Sequence, residues 1–231
     1  MIRYLFYLTL ASILISCNSY KLPPTKYYID VDGKEISEKE FDLKWRNFTP
    51  KYAGVKYIAK DSGMVFKLSH PTYEKYKIAY KPFHETMEQL KGQKFSDSTI
   101  FMLDYTFKDD YCDSAPPNNW NNLRLDHRYQ YIKAQRKIVK KEYENLVYAK
   151  LFEKGIKLPT FSKKQQEIFF VDRSGFFRKK VFKNPSLCGS FAIIKPNGEM
   201  LVRNGEYGIS GMAEHLKPEN WELFFPDAAK N

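Results

Sequence analysis

The stretch from Leu187 to Tyr207 constrains this chain more than any other. Phe191 to Ile194 and Met200 to Val202 are short apolar runs with β-branched residues, and Lys195-Pro196-Asn197-Gly198 lies between them. Proline presets the first corner of a turn, and Asn-Gly accepts the positive φ that a tight hairpin needs. The stretch therefore predicts a β-hairpin. Cys188 stands immediately before its first strand, and Cys112 stands just after an apolar strand far upstream.

The third cysteine, Cys17, closes an N-terminal leader. Arg3 gives the leader a basic start, and the apolar run from Tyr4 to Ile15 is too short to serve as a comfortable permanent span. It ends in Leu14-Ile15-Ser16-Cys17. An aliphatic residue three before a cysteine, with a small residue just before it, resembles the lipobox of bacterial lipoproteins. The resemblance implies a signal peptide over residues 1–16, cleavage before Cys17, and a thiol that takes a diacylglyceryl group. Acyl chains such as palmitate would then hold the protein on a membrane, since several chains anchor stably where one does not. Asn18 follows, not the Asp that resembles an inner-membrane retention signal, which favours the outer membrane of a Gram-negative cell. Which face of that membrane the protein occupies stays open. Residues 17–26, with Pro23-Pro24, read as the lipidated cysteine and a tether. The competing readings are an ordinary signal peptide and a cytosolic apolar start.

The net charge of +11 is of the kind that attracts anionic partners, but a solvated basic surface is the preferred reading over a specific polyanion site. Its most concentrated source is a long helical pattern from about Asn119 to Glu144. Leu125, Tyr129, Ile132, Val139 and Tyr143 recur there near helical spacing, and Lys133, Arg136, Lys137, Lys140 and Lys141 are assigned to the other, solvent-facing side. These five are the candidate anion-binding residues. Upstream, Tyr27 to Ile36 is a small hairpin around Asp32-Gly33, and Ser37-Glu38-Lys39-Glu40 has the form of a capping box before a helix burying Phe41 and Trp45. Val55 to Ala59 and Met64 to Leu68 form a second hairpin. Pro82 to Lys91 is a helix ended by Gly92. Thr99 to Tyr105 is a continuous apolar run, as in a strand buried on both faces. Asn145 to Phe152 reads as a strand in preference to an extension of the long helix. Ile168 to Val171 is another strand, and helix follows the opening hairpin from Gly211.

From Thr99 the order is strand, cysteine loop, long helix, strand, irregular segment, hairpin, helix. That order is similar to the thioredoxin fold. Asp104-Tyr105 followed by Tyr111-Cys112 resembles the strand end and active-site loop of membrane-anchored thioredoxin-like oxidoreductases. The expected fold class is α/β: a thioredoxin-like central sheet with flanking helices over residues 99–231, preceded by a small α+β extension over residues 27–98. The second catalytic cysteine of that family would fall at Ala115, and Gly189-Ser190 stands where the family places a cis-proline. A dithiol cycle within one loop is thereby ruled out. The resemblance places the loops of Cys112 and Cys188 side by side, which implies a disulfide in an oxidising compartment.

Other chemistries find little footing. His70, His84, His127 and His215 are scattered without metal-ligand spacing, and no cofactor or metal is expected. Asp109, Asp110 and Asp113 surround Cys112 in sequence and would oppose thiolate formation. The basic helix lacks the interleaved aromatics of a nucleic-acid platform, so nucleic acid is not an expected partner. Three functions remain. The first is an envelope lipoprotein whose thioredoxin-like domain has lost its redox centre and acts by binding, with envelope proteins or acidic glycans as partners. The second is a thiol-disulfide oxidoreductase with Cys112 and Cys188 as its catalytic pair. The third is a polyanion-binding or adhesion module using the basic helix. Enzymatic activity is the less favoured option.

Overall fold

The computed structural model describes residues 25–46, 52–59, 63–112 and 115–226. The leader, Cys17 and most of the tether lie outside the described residues, as does Asp113.

A small four-stranded sheet comes first, in the order β2-β1-β4-β3. Its strands are β1 (Lys26–Ile29), β2 (Glu35–Ile36), β3 (Tyr52–Ala59) and β4 (Gly63–Pro71), with helix α1 (Glu38–Arg46) between β2 and β3. β1 runs antiparallel to β2 around Gly33 and parallel to β4. Half of the expected capping box forms: the Ser37 hydroxyl accepts the Glu40 amide at 3.2 Å. The Glu40 carboxylate pairs forward with Lys44 at 3.1 Å. Tyr28, Phe41 and Leu68 make the core of this layer, with Trp45 and Phe66 packed on it.

The second sheet has six strands in the order β5-β10-β9-β6-β7-β8. They are β5 (Tyr73–Lys77), β6 (Ile100–Thr106), β7 (Leu146–Glu153), β8 (Phe169–Asp172), β9 (Ser190–Ile194) and β10 (Glu199–Asn204). β6, β7 and β8 are parallel, and β9 runs antiparallel to β6. The β9–β10 hairpin closes as a type I turn. The Gly198 amide donates to the Lys195 carbonyl at 2.9 Å, and Pro196 and Asn197 sit between them. Of Asn197 and Gly198, only Gly198 takes the positive φ, at 80°. A side chain there would also meet the Ile78 carbonyl at 2.4 Å.

Period-two alternation sends each strand's side chains to two cores. Phe101, Leu103 and Tyr105 of β6 join the core covered by helices α2 (Tyr80–Lys91) and α5 (Phe176–Lys180). Met102 joins the opposite core, under helices α3 (Asn122–Glu142), α6 (Ile209–Ala213) and α7 (Pro218–Glu222). A one-turn helix, α4 (Lys163–Gln166), precedes β8 with a full capping box at Ser162 and Gln165. Burial on both faces explains why β6 and β7 read as unbroken apolar runs.

The sequence of β6, α3, parallel β7, the antiparallel β9–β10 hairpin and α6 is a thioredoxin-like topology, with β8 and β5 added at the two edges. One boundary moves. β5 and α2, assigned from sequence to the 27–98 extension, belong to the six-stranded unit: β5 pairs with β10 from Tyr73↔Arg203 to Lys77↔Glu199. Among the described residues no helix is long and apolar enough to cross a membrane.

Candidate functional site

The loop that leaves β6 and the loop that enters β9 meet at one end of the central sheet. There Cys112 and Cys188 form a disulfide, with Cα atoms 4.7 Å apart and a sequence separation of 76. Cys112 is exposed and Cys188 half-buried. Cys188 takes φ of 67°, and Gly189 follows at 78°. Two successive left-handed residues turn the chain sharply into β9. A side chain at Gly189 would lie 2.4 Å from the Tyr105 carbonyl, so that position requires glycine. Cys188 has no such licence, and its conformation is held by what surrounds it.

The strongest of these holds is Asp110. Its carboxylate accepts the Cys188 amide at 2.9 Å. The backbone amides of Gly189 and Cys112 also favour its charged form. Burial pushes the Asp110 carboxyl up to about 6, against the pull of those amides. Behind it, the Ser186 hydroxyl bonds the Gly189 carbonyl at 2.6 Å and the Ser190 hydroxyl at 2.9 Å. Ser190 donates to Asn204 Oδ1 at 2.9 Å, and Asn204 Nδ2 reaches the Pro71 carbonyl at 3.1 Å. This buried chain of hydroxyls and amide ties the cysteine loop to the far hairpin strand.

Asp109, counted with Asp110 around Cys112 from sequence, points elsewhere: its amide and carboxylate both engage Asn118. Of the described aspartates near Cys112, Asp110 alone bonds the cysteine loops. Ala115 stands three residues after Cys112, and α3 begins only at Asn122, with Asn121 capping it through the Arg124 amide at 2.9 Å. Cys112 is therefore not a residue of the helix's first turn, where the partial positive charge would favour a thiolate.

The disulfide forms one wall of a cleft of about 440 Å³. Trp120, Arg124, His127, Arg128 and Tyr131 make the opposite wall, and Phe191, Glu206 and Tyr207 close the side. Arg124 stacks on Trp120, with its guanidinium 3.9 Å from the ring centre, and donates to the Pro116 carbonyl at 2.9 Å. The floor is a buried ion pair. Lys150 Nζ lies 2.5 Å from Asp104 Oδ1, and the Tyr148 hydroxyl donates to Asp104 Oδ2 at 3.0 Å. Asp104 and Lys150 are direct partners across the parallel β6–β7 pair. Burial holds the Lys150 ammonium below the ordinary lysine range although Asp104 pulls the other way. It raises the Tyr148 hydroxyl well above its usual range.

The basic helix face divides. Lys133, Lys137, Lys140 and Lys141 are exposed, whereas Arg136 is half-buried and lies 5.9 Å over the Tyr148 ring. Arg136 is thus corrected from the solvent face to the packed one. The histidines stay dispersed. His84 faces the Ser96 carbonyl at 3.1 Å, His127 is exposed on the cleft rim, and His215 meets the Tyr73 hydroxyl at 3.1 Å. The side chain of His70 lies outside the described residues. Among the described residues no three metal-binding side chains gather. Asp104 enters the sequence reading only as part of the strand end Asp104-Tyr105, and Lys150, Trp120, Arg124 and Arg128 carry no functional role there. The available signal was a charge inside each of two apolar strands, at Asp104 and Lys150.

Taken together, the topology and the bridged loops define a thioredoxin-like domain whose two cysteines sit on separate loops. No protein-family model matches the chain, and no curated protein does. Among solved structures, it is similar to the N-terminal domain of PilB from N. meningitidis, in its reduced form in solution. The identity is 15%, covering 57% of this chain and 92% of that one, with a TM-score of 0.36. The fold assignment rests on the strand order and register of this chain itself.

Proposed function

We propose that this chain is an exported, lipid-anchored bacterial envelope protein whose thioredoxin-like domain acts by binding, with the Cys112–Cys188 disulfide as a structural pin for its cleft. The lipobox-like Leu14-Ile15-Ser16-Cys17 supports the anchor. The observation that carries the binding reading is the setting of Cys112. It lies outside the helix N-terminus, with Ala115 after it and the Asp110 carboxylate beside both cysteine loops. Ala115 removes the resolving thiol of a one-loop cycle, and the other two features disfavour a thiolate, the form that attacks a disulfide. A cleft walled by Trp120, Tyr131, Phe191 and Tyr207, with arginines on its rim, has the mixed lining of a ligand site.

One observation favours the oxidoreductase reading: Cys112 is exposed and borders that cleft. In that case one thiolate of a substrate dithiol attacks a sulfur of the pair and the other cysteine leaves as a thiolate. The second substrate thiol then displaces the mixed disulfide. The substrate ends oxidised, and the pair ends reduced with two protons taken up. A redox titration in glutathione and dithiothreitol buffers, read by thiol alkylation, separates the two. A structural pin has a midpoint below about −300 mV, and an exchanging pair sits above about −270 mV. A midpoint in the upper range, with turnover of a dithiol substrate, overturns the binding reading.

A further inference from the structure

The outer surface of α3 combines two features that rarely coincide on a helix facing only water. Leu123, Tyr131 and Ile138 are 63%, 45% and 56% exposed, and they account for three of the eight exposed large apolar residues described. With His127 and Ala134, also exposed, they recur at steps of four, four, three and four residues along one side of the helix, where His127 and Tyr131 also border the cleft. That side is roughly opposite the buried stripe of Leu125, Ile132 and Val139. The outer stripe runs about 22 Å from Leu123 to Ile138 at the helical rise.

Alongside it stand Lys133, Lys137, Lys140 and Lys141, all exposed, and none makes an ion pair among the described residues. On the other flank is the exposed Arg128. The carboxylates of this helix do not neutralise the row. The helix carries only two, Asp126, seven residues before Lys133, and Glu142 at the last turn, too few to balance the four lysines and Arg128. Charge and shape therefore select the partner. A shallow apolar ridge suits a soft apolar layer better than a matching protein groove. The flanking lysines can lay their alkyl stems along the ridge while their ammoniums reach outward. That is the pattern of a helix lying in a membrane interface, attracted by anionic head groups.

We infer that α3 is a membrane-docking face, seating its outer stripe at the surface of an anionic bilayer. The lipid anchor proposed above would bring the domain within reach, but docking does not depend on it, nor on the fate of the disulfide.

The test uses the full chain carrying Cys17→Ser, which removes acylation, with vesicles of phosphatidylcholine alone or mixed with phosphatidylglycerol. The basic, apolar leader gives every variant the same background on a given vesicle, so the readout is how the ratio of anionic to neutral binding in cosedimentation changes between variants. The expected ratio is tenfold or more at low salt and falls as salt rises. Lys137→Glu, Lys140→Glu and Lys141→Glu together remove roughly that whole factor. Leu123→Ser with Ile138→Ser also weakens binding to the anionic vesicles. Tyr131→Trp gives a blue-shifted emission on binding. Thermal melts check that each variant folds, and a milder lysine-to-alanine set replaces the glutamates if they do not. Equal binding to both vesicles overturns the inference. So does binding that needs the lysines but ignores Leu123 and Ile138, which points to an acidic glycan or protein. A concentration-dependent dimer abolished by Ile138→Ser assigns the stripe to a second copy and overturns it as well.

Discussion

Replacing both bridging cysteines by alanine tests whether the disulfide is a pin. It closes a loop with a separation of 76 residues. The chain-entropy relation for a loop of that size gives about 4.5 kcal/mol of stabilisation at room temperature. The hydrogen bonds around Cys188, Asp110's among them, hold φ at 67° with or without the bond. A non-glycine residue in the left-handed region costs roughly 1–2 kcal/mol, and the alanine variant bears that cost as the wild type does. Removing the bond therefore loses about 4.5 kcal/mol, which in a domain of this size lowers the melting temperature by about 9–18 °C. Differential scanning calorimetry of the oxidised wild type against Cys112→Ala/Cys188→Ala reads it directly. A second variant, Cys112→Ala/Cys188→Gly, isolates the backbone contribution. Glycine accepts the left-handed turn without a Cβ, so this variant should recover about 1 kcal/mol relative to the alanine version. A drop of less than about 2 °C would refute the pin, and equal stability of the glycine and alanine variants would refute the strain at Cys188.

Asp110 makes stability depend on pH in an unusual direction. Its carboxyl titrates at about 6 when folded, against an ordinary value of 3.8. Between those values the folded protein holds a proton the unfolded chain has released, so stability from this group is full below the unfolded value and lost as pH rises through 6. Urea denaturation from acid to neutral pH should show a decline that Asp110→Asn removes; parallel curves for both proteins would defeat the assignment. Lys150→Met strands the buried Asp104 carboxylate and should cost about 3 kcal/mol or more, while adding Asp104→Asn recovers part of that loss. A neutral effect of the single change in the same denaturation assay would mean the pair is solvated. Cys17→Ser should abolish incorporation of labelled palmitate, since only a thiol accepts the lipid, and label retained on the variant would count against acylation at this residue.

Local chemistry made some of this architecture legible and tertiary pairing hid the rest. The β9–β10 hairpin can be read because Pro196 and Gly198 satisfy the turn within four residues. β6 and β7 can be read because burial on both faces leaves unbroken apolar runs. β5 cannot: Tyr-Glu-Lys-Tyr-Lys is an edge strand with polar residues on one side, and its partner β10 comes more than a hundred residues later. Arg136 was placed on the solvent face by charge, although it follows Ile132 by four and precedes Val139 by three. That spacing puts it over the buried stripe. The cysteine pair was accessible through the order of elements. The Asp104–Lys150 floor was not, because each residue alone is only a blemish in an apolar strand. The parallel register that makes them partners is a property of the folded sheet.

The parallel pairing of β1 with β4 has a mechanical consequence. Lys26 aligns with Met64 and Ile29 with Lys67, so both strands start at the same end. The Met64 amide also bonds the Thr25 carbonyl at 2.8 Å, extending the contact to the first described residue. The body of the protein is joined to β4 at its opposite end, through Pro71 into β5. A pull on the chain upstream of Lys26 therefore acts along the strand axes in opposite senses. It loads the inter-strand hydrogen bonds together, in shear, and does not peel them open one at a time. The N-terminal strand is thus a clamp oriented to bear tension from whatever holds the chain's beginning.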